Sequence, residues 1–302
     1  MKTQELKEEI ARLKAEKKAV ILAHNYQLPL VQDVADFLGD SLELAKRVRK
    51  LRDRKIIVFC GVYFMAETAR IINPDKKVII PDREAGCALA EGLKPEELVR
   101  LKQQHPEAKV VCYVNSSAEI KALSDYCCTS ANAVEVVERL RGEEIIFVPD
   151  INLGRFVAWR LKRKIVLPTS NCYVHHQFLL KDVQKARRLY PQAKIVVHPE
   201  SPLEVIEASD YTLSTSGMLK LAAESSEGEF VIGTEISMLY RLRREFPRKK
   251  FYALKPGAIC EGMKKITLAK LYEALTLLKE EVRLKPDLIE RARRPLERML
   301  ES

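Results

Sequence analysis

The sequence predicts an α/β protein of three similar αβα units, each built on a parallel sheet, arranged around a pseudo-threefold axis with the active site at the centre. Three observations lead there. Short apolar runs alternate with helical stretches, the loops between them are short, and four landmarks recur in the same order three times along the chain. The N-terminal stretch MKTQELKEEIARLKAEKK has the charged, amphipathic pattern of a surface helix. It carries neither an apolar leader core nor a small-residue cleavage site, so a cytoplasmic protein is expected.

The expected strands follow in order: AVILAHNY, KIIVFCGV and KVIIPD; then KVVCYVN, EIIFVPD and KIVLPTS; then KIVVHPE, EFVIGTE and KFYALKP. Their nearly unbroken apolar character suits parallel strands covered on both faces. Helical stretches such as Ala133 to Arg141 and Leu219 to Ala223 lie between them.

Self-comparison sharpens the alternation into a repeat. A first strand ends in polar residues (ILAHNY, VVCYVNSS, IVVHPES), and a hydroxyl-rich turn then enters a helix (GDSLELA, CCTSANAVEVV, LSTSGMLKLA). A third strand ends in a turn (FCGVYFMAE, FVPDINLGR, VIGTEISML), and a fourth runs into a cysteine (IIPDREAGC, IVLPTSNC, FYALKPGAIC). His24, Tyr113 and His198 are 89 and 85 residues apart; Ser41, Ser130 and Thr215 repeat at the same two spacings; Cys87, Cys172 and Cys260 repeat at 85 and 88. The expected units are residues 1–88, 89–173 and 174–261, with the tail 262–302 packing on the first.

With 302 residues, 47% hydrophobic and 31% charged, the chain has ample material for a core. A net charge of +10 suits an anionic partner, but the basic residues are dispersed over helix-like stretches. No aromatic RNA-binding pattern, helix-turn-helix or finger signature is present, so nucleic acid is not expected as a partner. No run of eighteen apolar residues points to a membrane. Seven cysteines in such a chain leave metal binding, catalysis or simple burial open.

Open parallel sheets bind ligands beyond the carboxyl ends of their strands, and every landmark sits at such an end. Convergence of the three units would bring Cys87, Cys172 and Cys260 together, one thiolate from each. Structural zinc usually draws on close cysteine pairs and a fourth ligand, whereas three thiolates on a cubane leave one iron open, as a Lewis acid requires. Three unlinked buried cysteines remain the plain alternative. Cys60, Cys112, Cys127 and Cys128 read as structural. The strand-end pairs His24 with Tyr26, Tyr113 with Asn115, and His198 with Glu200 are spaced to face one side, a set fitted to hydrogen bonding and proton transfer. Ser41, Ser130, Thr215 and Ser216 stand where turns enter helices, as caps or as anion-binding donors. The segment PTSNCYVHHQF, taken alone, also fits a zinc or iron hydrolase using Cys172, His175 and another ligand.

The motifs HNYQ, GDSLELA, YVNSSAE, CTSANA, CYVH, HPE, STSGM, GTE and CEGMKKIT, in this order from about Leu22 to Leu268, resemble the quinolinate synthase family. The resemblance implies a transferase of NAD biosynthesis that condenses iminoaspartate with dihydroxyacetone phosphate, releasing quinolinate, phosphate and water. It implies a [4Fe-4S] cluster on Cys87, Cys172 and Cys260 with one open iron. It also implies that His24, Ser41, Tyr113, Asn115, Ser130, His175, His198, Glu200, Thr215 and Ser216 bind substrates or product, while Tyr26, Tyr113 and Glu200 move protons. His176 has no family match and is expected to be exposed. L-aspartate oxidase or aspartate dehydrogenase would supply the imine, and the protein would be a monomer or homodimer. Two departures stand out. Gly262 occupies a position where many relatives have Asn, and Ser201 one where many have Cys.

Overall fold

In the computed structural model, residues 2–50 and 54–300 are described; residues 1, 51–53 and 301–302, in the expected first unit and tail, lie outside the described residues. The run Ala19–His24 (β1) is buried from end to end. With Phe37–Gly39 (β2), Ile56–Cys60 (β3) and Lys77–Ile79 (β4) it makes a parallel sheet in the order β2-β1-β3-β4. Lys109–Tyr113 (β5), Tyr126–Cys128 (β6) and Ile145–Val148 (β7) form a second, ordered β6-β5-β7. Lys194–Val197 (β8), Tyr211–Thr212 (β9), Glu229–Gly233 (β10) and Lys250–Ala253 (β11) form the third, ordered β11-β10-β8-β9. In every sheet the first strand of the unit lies between its second and third, so the chain is three similar αβα units.

The short strands β2, β6 and β9, with three, three and two residues, escape the apolar pattern. They are started by a device that repeats with the units. Asp36, Asp125 and Asp210 each donate a backbone N–H to the carbonyl of Ile21, Val110 and Ile195 respectively, at 2.9–3.0 Å. The carboxylate of each accepts the N–H of that same residue, at 2.8, 2.8 and 2.7 Å. One aspartate therefore closes a two-bond ring onto the first strand and fixes where the second begins. The fourth strand expected at KIVLPTS is reduced to a single bridge between Ile146 and Val166. Pro168, two residues on, has no N–H with which to extend a ladder.

Two large clusters of buried side chains form the core. Ile21, Ile57 and Phe147 are fully buried, each worth about 1.5–3 kcal/mol of apolar burial. The tail divides its packing, which corrects the expectation that all of it lies on the first unit. Helix Leu268–Leu277 packs on the N-terminal helix Thr3–Glu16 and on β3. Helix Pro286–Leu300 buries Leu288, Ile289, Ala292, Leu296 and Met299 along one face and packs chiefly on helix Ala118–Ala122 and β6 of the second unit, reaching Tyr63–Ile72 of the first. Its apolar stripe clamps two units together. Among the described residues, no helix is long and apolar enough to cross a membrane.

Candidate active site

The first strands of the three sheets end at one cavity. His24 closes β1, Tyr113 closes β5 and His198 follows β8. Tyr26, Asn115 and Glu200, each in the turn or bend just past its strand, enter the same space, and all six residues line the cavity. The backbone N–H of Tyr26 donates to His24 Nδ1 at 3.2 Å, and that of Glu200 to His198 Nδ1 at 3.4 Å. Each imidazole is thereby fixed with its proton on Nε2. Burial holds both imidazoles neutral by depressing their pKa to about 3, helped at His24 by the positive charge of Lys264 and at His198 by His175. They are built as neutral N–H donors.

Glu200 is 2% exposed. Tyr113 Oη donates to its Oε1 at 2.5 Å, and His175 Nδ1 lies 3.0 Å from its Oε2. Burial alone would raise this carboxyl, but His175 beside it and the hydrogen bonds from His175 and Tyr113 hold it well below its ordinary range. Tyr26 and Tyr113 are both pushed up by burial and by the Glu200 charge, so both phenols keep their protons.

Cys87, Cys172 and Cys260 line this cavity too, and they share one local geometry. Each is the N-cap of a four-residue helix: Ala88–Glu91, Tyr173–His176 and Glu261–Lys264. Each sulfur is also approached by the backbone N–H three residues on, from Ala90, His175 and Met263. A carboxylate holds the backbone N–H of every one: Glu91 at 3.0 Å for Cys87, Asp150 at 3.0 Å for Cys172 and Glu235 at 3.2 Å for Cys260. Asp150 and Glu235 occupy equivalent places just past β7 and β10, where the first unit has Val62; there Glu91, from the same short helix, takes over. The thiols are raised by burial, Cys87 to about 12. Three thiolates lining one cavity would require a cationic centre to hold them, and the repeated N-cap geometry presents one sulfur from each unit. Cys60, Cys112, Cys127 and Cys128 are wholly buried in the strands, and His176 is exposed.

The atoms offered by Cys172, His175 and Glu200 also lie within 4.8 Å of one another, a spacing at which one ion could be held. His175 Nδ1 lies 3.3 Å from the Cys172 sulfur as well as 3.0 Å from the Glu200 carboxylate.

Of the helix-entering hydroxyls, Ser41, Ser130 and Thr215 line the cavity. Ser216 instead donates to Asp40 at 2.6 Å and faces an outer groove that Ser130 also borders. Asp40 accepts the N–H groups of Leu42 and Glu43 at 3.0 and 2.9 Å, and Ser214 accepts that of Gly217 at 3.3 Å. The hydroxyls are therefore left to face the cavity where side chains have taken the amides. The carbonyl oxygen of Asn115 is buried and has no partner among the described residues. Positive charge backs the wall at His24: Arg241 donates to Asn25 Oδ1 at 2.5 Å, Asn25 donates to Thr215 at 2.8 Å, and Lys264 pairs with the buried Glu235 at 2.6 Å.

Sequence reasoning passed over Thr234, Asp150, Glu235, Lys264 and Arg241. For Asp150 and Glu235 a signal was present, an acid at the end of FVPD and of IGTE at the same point of the repeat.

The model of a family described as "Quinolinate synthetase A protein" matches residues 8–301. A quinolinate synthase of Thermococcus onnurineus is 53% identical, over all of this chain and 99% of its own length. One from Pyrococcus abyssi is 52% identical over 97% of this chain and 98% of its own. One from Caldicellulosiruptor bescii is 46% identical over all of this chain and 99% of its own.

Proposed function

This chain belongs to the quinolinate synthase family, and from that premise we propose that it condenses iminoaspartate with dihydroxyacetone phosphate to quinolinate, phosphate and water in NAD biosynthesis. The observation that supports the reading best is that Cys87, Cys172 and Cys260, each an N-cap of an equivalent short helix, line the cavity that also holds Tyr113 and Glu200.

The donor set suits a [4Fe-4S] cluster: three sulfurs, each met by a helix N–H, in a setting where burial disfavours free thiolates. When bound, such a cluster supplies an iron with one vacant position, a Lewis acid for a substrate oxygen. The remaining work falls to the chain. Both substrates are anions, and the charges of Lys264 and Arg241 behind His24 make the cavity attractive to them. His24 and His198 offer Nε2–H donors, and Ser41, Ser130 and Thr215 offer hydroxyls, for carboxylate and phosphate oxygens. The unpaired carbonyl of Asn115 accepts a substrate N–H or O–H. Isomerisation, enolisation and dehydration each need a proton removed from one atom and returned to another. Glu200 removes it, Tyr113 holds the carboxylate in place through Oε1, and Tyr26 Oη is the third exchange point. Iminoaspartate hydrolyses readily in water, so an L-aspartate oxidase or aspartate dehydrogenase acts just upstream.

The test is direct. Anaerobically purified protein, given dihydroxyacetone phosphate and iminoaspartate generated in the cuvette, forms quinolinate measurable by chromatography. No quinolinate from protein carrying its full iron content would overturn the reading. The grouping of Cys172, His175 and Glu200 favours a second one, a single-ion hydrolase; about one zinc per chain and no iron or sulfide would support it.

A further inference from the structure

Thr215 opens the helix Thr215–Glu224 of the third unit and lines the cavity, although it is only 2% exposed. Behind it stands Asn25, wholly buried, in the turn that follows β1 of the first unit. Behind Asn25 stands Arg241, on helix Met238–Glu245 of the third unit, with its Nε donating to Glu245 at 2.7 Å. Two contacts join the three: Arg241 Nη1 donates to Asn25 Oδ1 at 2.5 Å, and Asn25 Nδ2 donates to Thr215 Oγ1 at 2.8 Å. Asn25 cannot shift easily, because its backbone N–H donates to Gly39 O at 3.1 Å and its carbonyl accepts from Gln32 Nε2 at 3.0 Å.

The direction of each hydrogen follows from what the groups can do. A guanidinium has donors only, so the Asn25 amide must turn its oxygen to Arg241. The NH2 group then faces Thr215 and donates to it. Having accepted there, the hydroxyl keeps one hydrogen of its own to give, and Thr215 Oγ1 has no other hydrogen bond among the described residues. The side left open is the cavity. A hydrogen bond fed by another is strengthened, and one given to an ionised oxygen is about twice as strong as one given to a neutral group.

The repeat shows that the fold does not demand this amide. The places equivalent to Asn25 in the second and third units hold Val114 and Pro199. Among the described residues, neither Ser41 nor Ser130, the hydroxyls equivalent to Thr215, has an amide behind it. Three similar units thus join with the amide at one place alone, and at that place it meets a hydroxyl of the cavity wall.

We propose that Asn25 and Arg241 are positioning residues that fix the polarity of Thr215, so that its hydroxyl meets substrate as an O–H donor and its subsite selects an anionic oxygen, of a phosphate or a carboxylate. Asn115, with its unpaired carbonyl, is the complementary acceptor in the same cavity. The inference deepens the quinolinate synthase reading and rests on it, because it presumes the two anionic substrates.

The experiment is a double-mutant cycle between Asn25→Asp and Thr215→Val in the anaerobic holoenzyme, with kcat and KM measured separately for dihydroxyacetone phosphate and iminoaspartate. Aspartate keeps the shape and the pairing with Arg241 but can only accept, so it draws the Thr215 hydrogen onto itself and leaves the cavity a lone pair. Asn25→Asp should raise the KM of at least one substrate about tenfold or more, with kcat within about threefold of wild type. In the Thr215→Val background the same change should raise that KM by less than about threefold. Repulsion from the added charge, or a packing defect, acts alike in both backgrounds. An equal rise in the two therefore overturns the proposal, as does an unchanged KM in Asn25→Asp. The substrate whose KM responds carries the group that Thr215 holds: dihydroxyacetone phosphate for a phosphate, iminoaspartate for a carboxylate. If Asn25→Asp does not fold, Arg241→Met replaces it in the cycle, at a side chain that is 13% exposed. Methionine frees the amide to turn its oxygen to Thr215, and a KM rise that is the same in both backgrounds again overturns the proposal. Wild-type protein that makes no quinolinate overturns the functional reading itself, a different result from an active wild type whose two backgrounds respond alike.

Discussion

Gly262 packs so tightly against Gly86 that a Cβ placed on it would stand 2.1 Å from the Gly86 carbonyl oxygen. The two glycines sit beside Cys87 and Cys260, so the contact holds the loops of two cavity cysteines together. Any side chain at this point has to drive backbone from backbone. Gly262→Ala is expected to cost about 1–3 kcal/mol and to lower the bound iron. Gly262→Asn, the residue common in the family pattern, should do so at least as strongly. Melting temperature and iron content report both effects, and wild-type values for either variant would show that the loops need no such contact.

Glu200 and Tyr113 share a buried hydrogen bond of 2.5 Å, and the carboxylate is held ionised. Glu200→Gln keeps the shape and removes the charge, so kcat for quinolinate should fall by about 10²–10⁴ while iron and sulfide content stay at wild-type levels. Tyr113→Phe should lower kcat less, because the carboxylate remains. Full turnover by Glu200→Gln would remove this residue from proton transfer.

Glu67 reaches from the first unit to accept the Ala118 N–H of the second at 3.2 Å. Burial raises its carboxyl to about 7, with Lys121 only partly opposing the shift. The folded protein therefore binds a proton between pH 4.5 and about 7 that the unfolded chain has lost. Stability contributed by this group is greatest below pH 4.5 and declines as pH rises through the folded value, by about 3 kcal/mol in all. Glu67→Gln should raise the melting temperature at pH 8 more than at pH 5. Equal shifts at the two pH values would contradict a neutral Glu67 carboxyl.

Asp125 accepts the N–H of Val110 at 2.8 Å within the second unit, as Asp36 and Asp210 do in theirs. Asp125→Ala strands that N–H beside a fully buried residue, at a cost of about 1–3 kcal/mol, while Asp125→Asn keeps an acceptor and should lose less. Denaturant midpoints measure the difference, and an unchanged midpoint for Asp125→Ala would mean the strand entrance does not depend on the carboxylate.

Much of this was legible in the chain, because repetition betrays it. His24, Tyr113 and His198 stand at strand ends, and Cys87, Cys172 and Cys260 at loop ends, at spacings that alternation alone does not produce. Asp36, Asp125 and Asp210 keep the 89- and 85-residue spacings as well, but β2, β6 and β9 are too short for an apolar pattern to mark them. KIVLPTS carries the apolar run of a strand, yet its pairing stops at one bridge ahead of Pro168. Thr234, which meets Tyr26 and His175, could not be found by periodicity, since its place depends on two partners from distant segments and its equivalents in the repeat are Gly61 and Pro149. Nor did the pattern foresee the division of the tail, because the apolar stripe of Pro286–Leu300 does not say which unit it will meet.

The most direct measurement is the iron and sulfide content of anaerobically purified protein, wild type beside the seven single Cys→Ala variants. About four irons and four sulfides per chain are expected in wild type, lost on replacing Cys87, Cys172 or Cys260 and kept on replacing Cys60, Cys112, Cys127 or Cys128. Retention of the full complement in a Cys87→Ala or Cys260→Ala variant, or zinc in place of iron in the wild type, would contradict a cluster held jointly by the three units.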